Sequence, residues 1–75
     1  MTTLKYAVLH HVEVEEPHYD LLFETQPGSM LAAFRVAEWP PTKGQAARRL
    51  KDHRRLYLTY EGAIPGGDRG RVDRV

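Results

Sequence analysis

Hydrophobic and polar positions alternate in two segments near the start of the chain, with a short acidic break between them. Residues 4–14 are rich in the β-branched and aromatic side chains that favour strands. Residues 15–17, Glu-Glu-Pro, end this segment because proline cannot donate a hydrogen bond to a neighbouring strand. Residues 18–25 form a second run of the same kind. The pattern therefore predicts a β-hairpin.

The middle of the chain is less regular. Residues 26–29 contain Pro-Gly and predict a turn. The periodicity of residues 30–37 fits a helix or a strand, and the flanking turn together with the following Trp-Pro-Pro favours a strand. Residues 44–52 are short, basic and rich in good helix formers, so they predict the one helix.

The last third of the chain returns to alternation. Residues 54–60 predict a strand with Leu56, Leu58 and Tyr60 on one face. Residues 62–70 form a glycine-rich loop, and residues 71–75 predict a last short strand. The whole pattern indicates a single mainly β domain over residues 1–75, a small antiparallel barrel or partly open barrel with one short helix.

Length and composition restrict the class of protein further. Seventy-five residues make one small domain near the lower limit for a self-sufficient core. The sequence contains no cysteine, which excludes disulfides and zinc-thiolate sites. Its apolar runs are too short to span a membrane, and the first residues lack the apolar core of a signal peptide. We therefore expect a cytoplasmic protein that does not associate with membranes.

Charge is distributed unevenly, although the net charge is only +1. Residues 1–40 carry two basic and six acidic side chains, a balance of −4, and residues 41–75 carry nine basic and four acidic ones, a balance of +5. Such a division suits a metal site next to an anion site. The alternative is that opposite surface charges merely keep a small domain soluble.

The hairpin contains a group of polar residues with the spacing of a metal site. Side chains two apart on a strand share a face, so His18 and Asp20 point the same way. His10 and His11 point to opposite faces, so only one of them can join this pair. Two imidazoles and one carboxylate suit Mn²⁺, Fe²⁺ or Zn²⁺. The alternative is that these histidines are ordinary hydrogen-bonded residues. The opposite face of the second strand would carry an apolar stripe of Tyr19, Leu21 and Phe23.

Three segments carry a resemblance to a known family. HYDLLFE, residues 18–24, resembles the H-Y-D-L-R-L-E signature of the 3′-phosphoesterase domain of bacterial DNA ligase D. DHRRLY and YEGAIP, within residues 52–65, are similar to the D-H-P-x-x-Y-x-x-F-E-G-x-I-P segment of that family. MLAAFRV, residues 30–36, stands where the family has a V-L-x-S-W-A-V strand. The matches follow the same order and cover nearly the whole chain.

The resemblance implies roles for individual residues. His18 and Asp20 match metal ligands of the family, and His53 and Tyr57 match its later active-site histidine and tyrosine. The segment before the hairpin turn aligns His11 with the first metal ligand. The spacing from His11 to His18 is one residue longer than in the family. The extra residue would lie in the Glu-Glu-Pro turn, or a β-bulge would bring His10 to the site instead.

The sequence also departs from the family pattern. Leu22 replaces an arginine, Leu9 replaces a glutamine, and residues 15–17 replace further arginines. Other arginines would then have to bind phosphate, and the candidates are Arg48, Arg54, Arg55 and Arg69. The alternative is that they form a solvated basic face. The family also has segments before the hairpin and further barrel strands after residue 75. Without those strands we expect an exposed sheet edge, which either is covered or pairs two chains as a homodimer.

The resemblance implies a hydrolase that acts in DNA repair with Mn²⁺ or another divalent transition metal. Its substrates would be DNA or RNA 3′ ends from which a 3′-phosphate or a 3′-terminal ribonucleotide is removed, and a DNA ligase or polymerase is a further candidate partner. Two alternatives remain open. The chain is a non-catalytic module that binds metal or nucleic-acid ends, or it is a structural β-domain with incidental histidines.

Overall fold

The computed structural model describes residues 3–41, 44–65 and 69–75. These residues form one antiparallel sheet of six strands in the order β4-β3-β2-β1-β6-β5. In chain order the elements are β1 (Tyr6–Val12), β2 (His18–Glu24), β3 (Leu31–Val36), β4 (Arg48–His53), a 3-10 helix (Arg55–Leu58), β5 (Gly62–Ala63) and β6 (Arg71–Arg74). The sheet is open, so the mainly β, partly open architecture predicted from the sequence is confirmed.

The helix predicted over residues 44–52 is wrong. Arg48–His53 is strand β4, which pairs with β3 along one edge of the sheet. Pairing with β3 supplies the backbone hydrogen bonds that a helix would otherwise provide, and it buries part of Leu50 against the core. Tertiary pairing thus overrides the local helix propensity of this segment.

The strand predicted over residues 54–60 is also wrong. Its centre, Arg55–Leu58, is a 3-10 helix in which the backbone N–H of Tyr57 donates to the Arg54 carbonyl at 3.2 Å. Leu58 and Tyr60 still reach the core, but Leu56 stays exposed, because the turn replaces the two-residue period of a strand. The glycine-rich loop contains the two residues of β5, and residues 66–68 lie outside the described part of the chain.

One face of the sheet, here called the core face, carries the main cluster of buried apolar side chains. Its members are Leu9, Leu22, Leu31, Ala33 and Val72. The 3-10 helix and the segments beside it cover this cluster with Leu50, Tyr57, Leu58, Tyr60 and Ile64. Among the described residues there is no helix with the length and apolar character that a bilayer span requires.

The predicted stripe of Tyr19, Leu21 and Phe23 does lie on the opposite face, here called the outer face, where all three side chains are only partly buried. The outer face is held by ring stacking, between His10 and Tyr19 and between Phe23 and Phe34. The covering segments pack on the core face, and His18 and Asp20 lie on this face as well. The candidate metal ligands therefore adjoin the packed interior.

Glu24 ties three segments together beneath the 3-10 helix. Its side chain, on the core face, accepts hydrogen bonds from the backbone N–H of Lys5 at 2.8 Å and of Gly28 at 3.0 Å, and from Arg55 at 2.7 Å. The Lys5 N–H, the Arg55 guanidinium and the Gly28 N–H lower the pKa of Glu24 to about 2. Arg55 also donates to the Ser29 carbonyl at 2.7 Å.

Candidate metal centre

The register of the first hairpin selects the histidine that faces the candidate ligands. β1 and β2 pair without a shift, so that Leu9 lies opposite Asp20 and His11 lies opposite His18. Directly opposed residues of an antiparallel pair share a face, so His11, His18 and Asp20 come together on the core face. His10 lies opposite Tyr19 on the outer face, where their rings stack with centroids 4.2 Å apart. No bulge brings His10 across, since the described pairing of β1 with β2 is continuous.

The three candidate ligands converge closely. Nδ1 of His11 lies 3.1 Å from Nε2 of His18, and this Nε2 lies 3.7 Å from Oδ2 of Asp20. One ligand atom from each residue falls within 4.8 Å of the others. The side chains of His18 and Asp20 are 12% and 7% exposed. A cluster this tight and this shielded can hold a metal ion.

Backbone carbonyls fix the tautomers of both imidazoles. Nε2 of His11 lies 2.7 Å from the Arg69 carbonyl oxygen, and Nδ1 of His18 lies 2.8 Å from the Glu16 carbonyl oxygen. A carbonyl only accepts, so in each neutral ring the proton sits on the nitrogen that faces the carbonyl. The other nitrogens, which face each other at 3.1 Å, both carry lone pairs. Two such nitrogens aimed at one point are the arrangement of donor atoms that a metal ion between the rings requires.

The electrostatics of His18 also favour its metal-binding form. Burial lowers the pKa of His18 below its usual value, because desolvation disfavours the imidazolium. The hydrogen bond to the Glu16 carbonyl and the nearby Asp20 charge oppose this effect, whereas Arg35 and His11 add to it. Neutral imidazole is the form that coordinates metals.

The two carboxylate oxygens of Asp20 face different partners. Oδ1 accepts a hydrogen bond from Nε of Arg35 at 3.1 Å, and Oδ2 faces His18. Arg35 was not among the site residues predicted from the sequence. A usable signal was present, because Asp20 and Arg35 are equidistant from the Pro27–Gly28 turn and therefore pair in a symmetric hairpin. Arg35 fixes the orientation of the carboxylate, as outer-shell partners of metal ligands commonly do.

His53 and Tyr57 meet the candidate metal ligands at a small cavity of about 100 Å³. His11, Asp20 and Arg35 line the same cavity, whose remaining walls are Leu9, Leu22, Ile64 and Val72. His53 ends β4, and Tyr57 follows in the 3-10 helix with its ring edge-on to the imidazole at 6.0 Å. Nδ1 of His53 donates to the Lys51 carbonyl at 2.9 Å, which leaves Nε2 as the nitrogen that can exchange a proton.

A larger, more open cavity of about 790 Å³ adjoins the two histidines. Two of the predicted phosphate-binding residues, Arg48 and Arg69, line it together with Arg35. Its other lining residues are His11, Val14, Glu15, Glu16, Pro17, His18, Val36, Ala37 and Ile64.

The other two arginines named from the sequence lie elsewhere. Arg55 is engaged with Glu24 and Ser29 beneath the 3-10 helix, and Arg54 is exposed at the start of that helix. Neither belongs to the described walls of the small or the large cavity.

The candidate metal centre lies between the two cavities. The small cavity contains His53 and Tyr57, and the large cavity is lined by three arginines.

No protein-family model matches the sequence, and no curated protein or solved structure shows significant similarity to it.

Proposed function

We propose that this protein is a metal-dependent 3′-phosphoesterase that removes a 3′-phosphate or a 3′-terminal ribonucleotide from nucleic acid during DNA repair. The observation that carries the proposal is the convergence of His11, His18 and Asp20, in which Nδ1 of His11 lies 3.1 Å from Nε2 of His18 while the other ring nitrogens contact two backbone carbonyls. The resemblance of residues 18–24 and 52–65 to the DNA ligase D phosphoesterase segments supports the choice of substrate.

The donor set fits a divalent transition metal. Metal–nitrogen bonds of about 2.0–2.1 Å place neighbouring ligand nitrogens roughly 3 Å apart, and the two imidazole nitrogens are separated by 3.1 Å. Two nitrogens and one carboxylate oxygen suit Mn²⁺, Fe²⁺ or Zn²⁺, and we propose Mn²⁺. When bound, such an ion supplies a Lewis acid for a phosphate oxygen and lowers the pKa of coordinated water.

His53 and Tyr57 supply proton transfer and orientation in this proposal. Protonated at Nε2, His53 donates its proton to the 3′ oxygen as the bond from that oxygen to phosphorus breaks. Water adds its oxygen to phosphorus and gives up one proton, which restores the protonated form of His53. A 3′-phosphate substrate thus gives a 3′-hydroxyl and inorganic phosphate, and a 3′-terminal ribonucleotide leaves as a nucleoside 5′-monophosphate. Histidine suits this task because it titrates near neutral pH. Tyr57, edge-on to the ring, holds His53 in place from the wall of the small cavity.

The test is Mn²⁺-dependent release of phosphate from a 3′-phosphorylated primer. A 5′-phosphorylated primer of the same sequence is the control substrate, and we expect it to remain intact. Chelation of the metal should stop the reaction, and fresh Mn²⁺ should restore it. Failure to release 3′-phosphate or a 3′-terminal ribonucleotide at any Mn²⁺ concentration would refute catalysis.

A second candidate is a non-catalytic module that binds metal or nucleic-acid ends. The observation that favours it is Leu22, which stands where the related family has an arginine and is fully buried in the core cluster. A charged side chain at position 22 would be buried among apolar residues, which is energetically unfavourable. In the same assay, retention of 3′-phosphorylated primer without turnover would identify this module.

A further inference from the structure

We infer that Arg35 and Arg48 form the phosphate subsite of this centre and take the part of the arginine that Leu22 replaces. This inference rests on the proposed function, and it names the residues that bind the terminal phosphate. Leu22 and Arg35 lie on adjacent strands and on the same face of the sheet. The charge missing from β2 is therefore supplied from β3, next to the same carboxylate.

Strand register places Asp20, Arg35 and Arg48 in one row across the core face. Asp20 lies opposite Arg35 in the pairing of β2 with β3, and Arg35 lies opposite Arg48 in the pairing of β3 with β4. Like charges at directly opposed positions destabilise a sheet. Asp20 balances one of these two cations. A bound anion next to both guanidinium groups would balance the other.

The guanidinium of Arg35 retains donors for a ligand. It carries five N–H groups, and the hydrogen bond to Oδ1 of Asp20 uses one of them. The Arg35 side chain is 35% exposed and lines both the small and the large cavity. Its forked geometry matches two oxygens of a phosphate group. Arg35 can thus orient a metal ligand and bind an anion at the same time.

The large cavity has the size and charge for the end of a nucleic-acid strand. Its volume of about 790 Å³ lies within the range of small-molecule sites. Arg35, Arg48 and Arg69 line it, and the two glutamates of the β1–β2 turn, Glu15 and Glu16, line it as well. These carboxylates repel phosphate, so we expect the phosphate to bind next to the arginines. Among them, Arg35 both lines the cavity and donates a hydrogen bond to Asp20.

The test uses thymidine 3′-phosphate as the probe and ¹⁵N NMR as the measurement. The protein is titrated both metal-free and loaded with Zn²⁺, a diamagnetic ion, while backbone and arginine Nε–H signals are followed. Thymidine without phosphate is the control ligand. Arg35→Gln, Arg35→Lys and Arg48→Gln are compared with Arg54→Gln, which removes the same charge from an exposed position outside both cavities.

We expect Arg35→Gln and Arg48→Gln to weaken binding of thymidine 3′-phosphate about tenfold or more, which is the effect of one charge-assisted hydrogen bond. Arg35→Lys should recover part of the loss in affinity, because lysine keeps the positive charge but lacks the bidentate geometry of the guanidinium group. Arg54→Gln should bind like the unmodified protein. If Arg35→Gln fails to fold, Arg48→Gln decides, since the Arg48 side chain is exposed and outside the core.

Two outcomes overturn the inference. One is equal affinity in Arg48→Gln and Arg54→Gln, and the other is no phosphate-dependent binding by the unmodified protein. Zn²⁺ affinity is measured in the same samples by competition with a chelating dye. This measurement distinguishes failure of the phosphate subsite from failure of the proposed metal-dependent function. If the unmodified protein does not bind Zn²⁺, the metal centre is refuted. The titration of the metal-free protein with thymidine 3′-phosphate still tests Arg35 and Arg48 in that case.

Discussion

Nδ1 of His11 lies 3.1 Å from Nε2 of His18 across the first antiparallel strand pair, and each ring binds a backbone carbonyl through its other nitrogen. The two carbonyls belong to Arg69 and Glu16, in the loop before β6 and the turn before β2. Chain segments that are far apart in sequence thus orient the two rings toward one point. The two rings are therefore held in position by the fold itself.

Metal affinity should depend on the core face of the hairpin and not on the outer face. His18→Ala and Asp20→Ala each remove a ligand atom, so each should reduce Mn²⁺ affinity by at least the roughly 10- to 100-fold that loss of an outer-shell partner costs. His10→Ala is the matched control, because His10 lies on the same strand as His11 but faces Tyr19. Isothermal titration or Mn²⁺ electron paramagnetic resonance measures the affinities. Full affinity in both ligand variants would refute the metal centre.

The tautomers and the His18 titration can be observed directly in the metal-free protein. Long-range ¹H–¹⁵N NMR should find the proton of His11 on Nε2 and that of His18 on Nδ1. The lowered pKa of His18 means that the unfolded chain binds its proton more readily than the folded protein does. The His18 contribution to stability is therefore complete above pH 6.5 and is lost as the pH falls through the folded pKa. A His18 midpoint at or above 6.5 would contradict this account.

Glu24 should stabilise the fold in a pH-dependent way. Its folded pKa of about 2 lies below the ordinary value of 4.5, so its contribution is complete above pH 4.5 and is lost as the pH falls toward 2. Glu24→Gln should lower the urea midpoint at neutral pH and flatten the dependence of stability on pH between those values. Glu38→Gln, at an exposed position, is the control and should leave both properties close to those of the unmodified protein.

Gly70 allows the loop to approach His11. Gly70 and Gly28 both have left-handed backbones, with φ of 73° and 81°, so an alanine costs about 1 kcal/mol or more at either position. A Cβ at position 70 would also collide with the Val12 carbonyl and come within 2.6 Å of the Val14 side chain, whereas position 28 is open. Gly70→Ala should therefore destabilise the protein more than Gly28→Ala does.

Gly70→Ala should also weaken metal binding, because it displaces the neighbouring Arg69 carbonyl from Nε2 of His11. Urea unfolding and Mn²⁺ titration of the two glycine variants measure both effects. Equal losses in Gly70→Ala and Gly28→Ala would show that the close approach has no energetic consequence.

His53 should affect turnover without affecting metal binding. It lines the small cavity with Asp20 but belongs to a different part of the sheet, and it is not one of the three converging ligands. His53→Ala should reduce the rate of 3′-phosphate release by about 10²- to 10⁴-fold, the usual effect of losing a general acid. Mn²⁺ affinity should stay near that of the unmodified protein. A parallel loss of affinity would make His53 a ligand instead.

Local sequence determined the hairpin, β3 and the shared face of His18 and Asp20. The hairpin and the shared face follow from a two-residue period, whereas β3 follows from the turn before it and the Trp-Pro-Pro after it. The motif segments also predicted His53 and Tyr57 as residues of the site, and they left His10 and His11 as alternatives for the first ligand.

Tertiary structure decided the remaining features. Pairing with β3 gives residues 48–53 a strand conformation in spite of their helix propensity. The 3-10 helix packs on one face of β2, and this face becomes part of the core. Strand register chose His11 over His10 and brought Arg35 to Asp20. These outcomes depend on contacts between distant segments, whose free energy of burial and hydrogen bonding exceeds the small differences in local propensity. A local pattern specifies which side chains share a face, but only long-range packing specifies what that face meets.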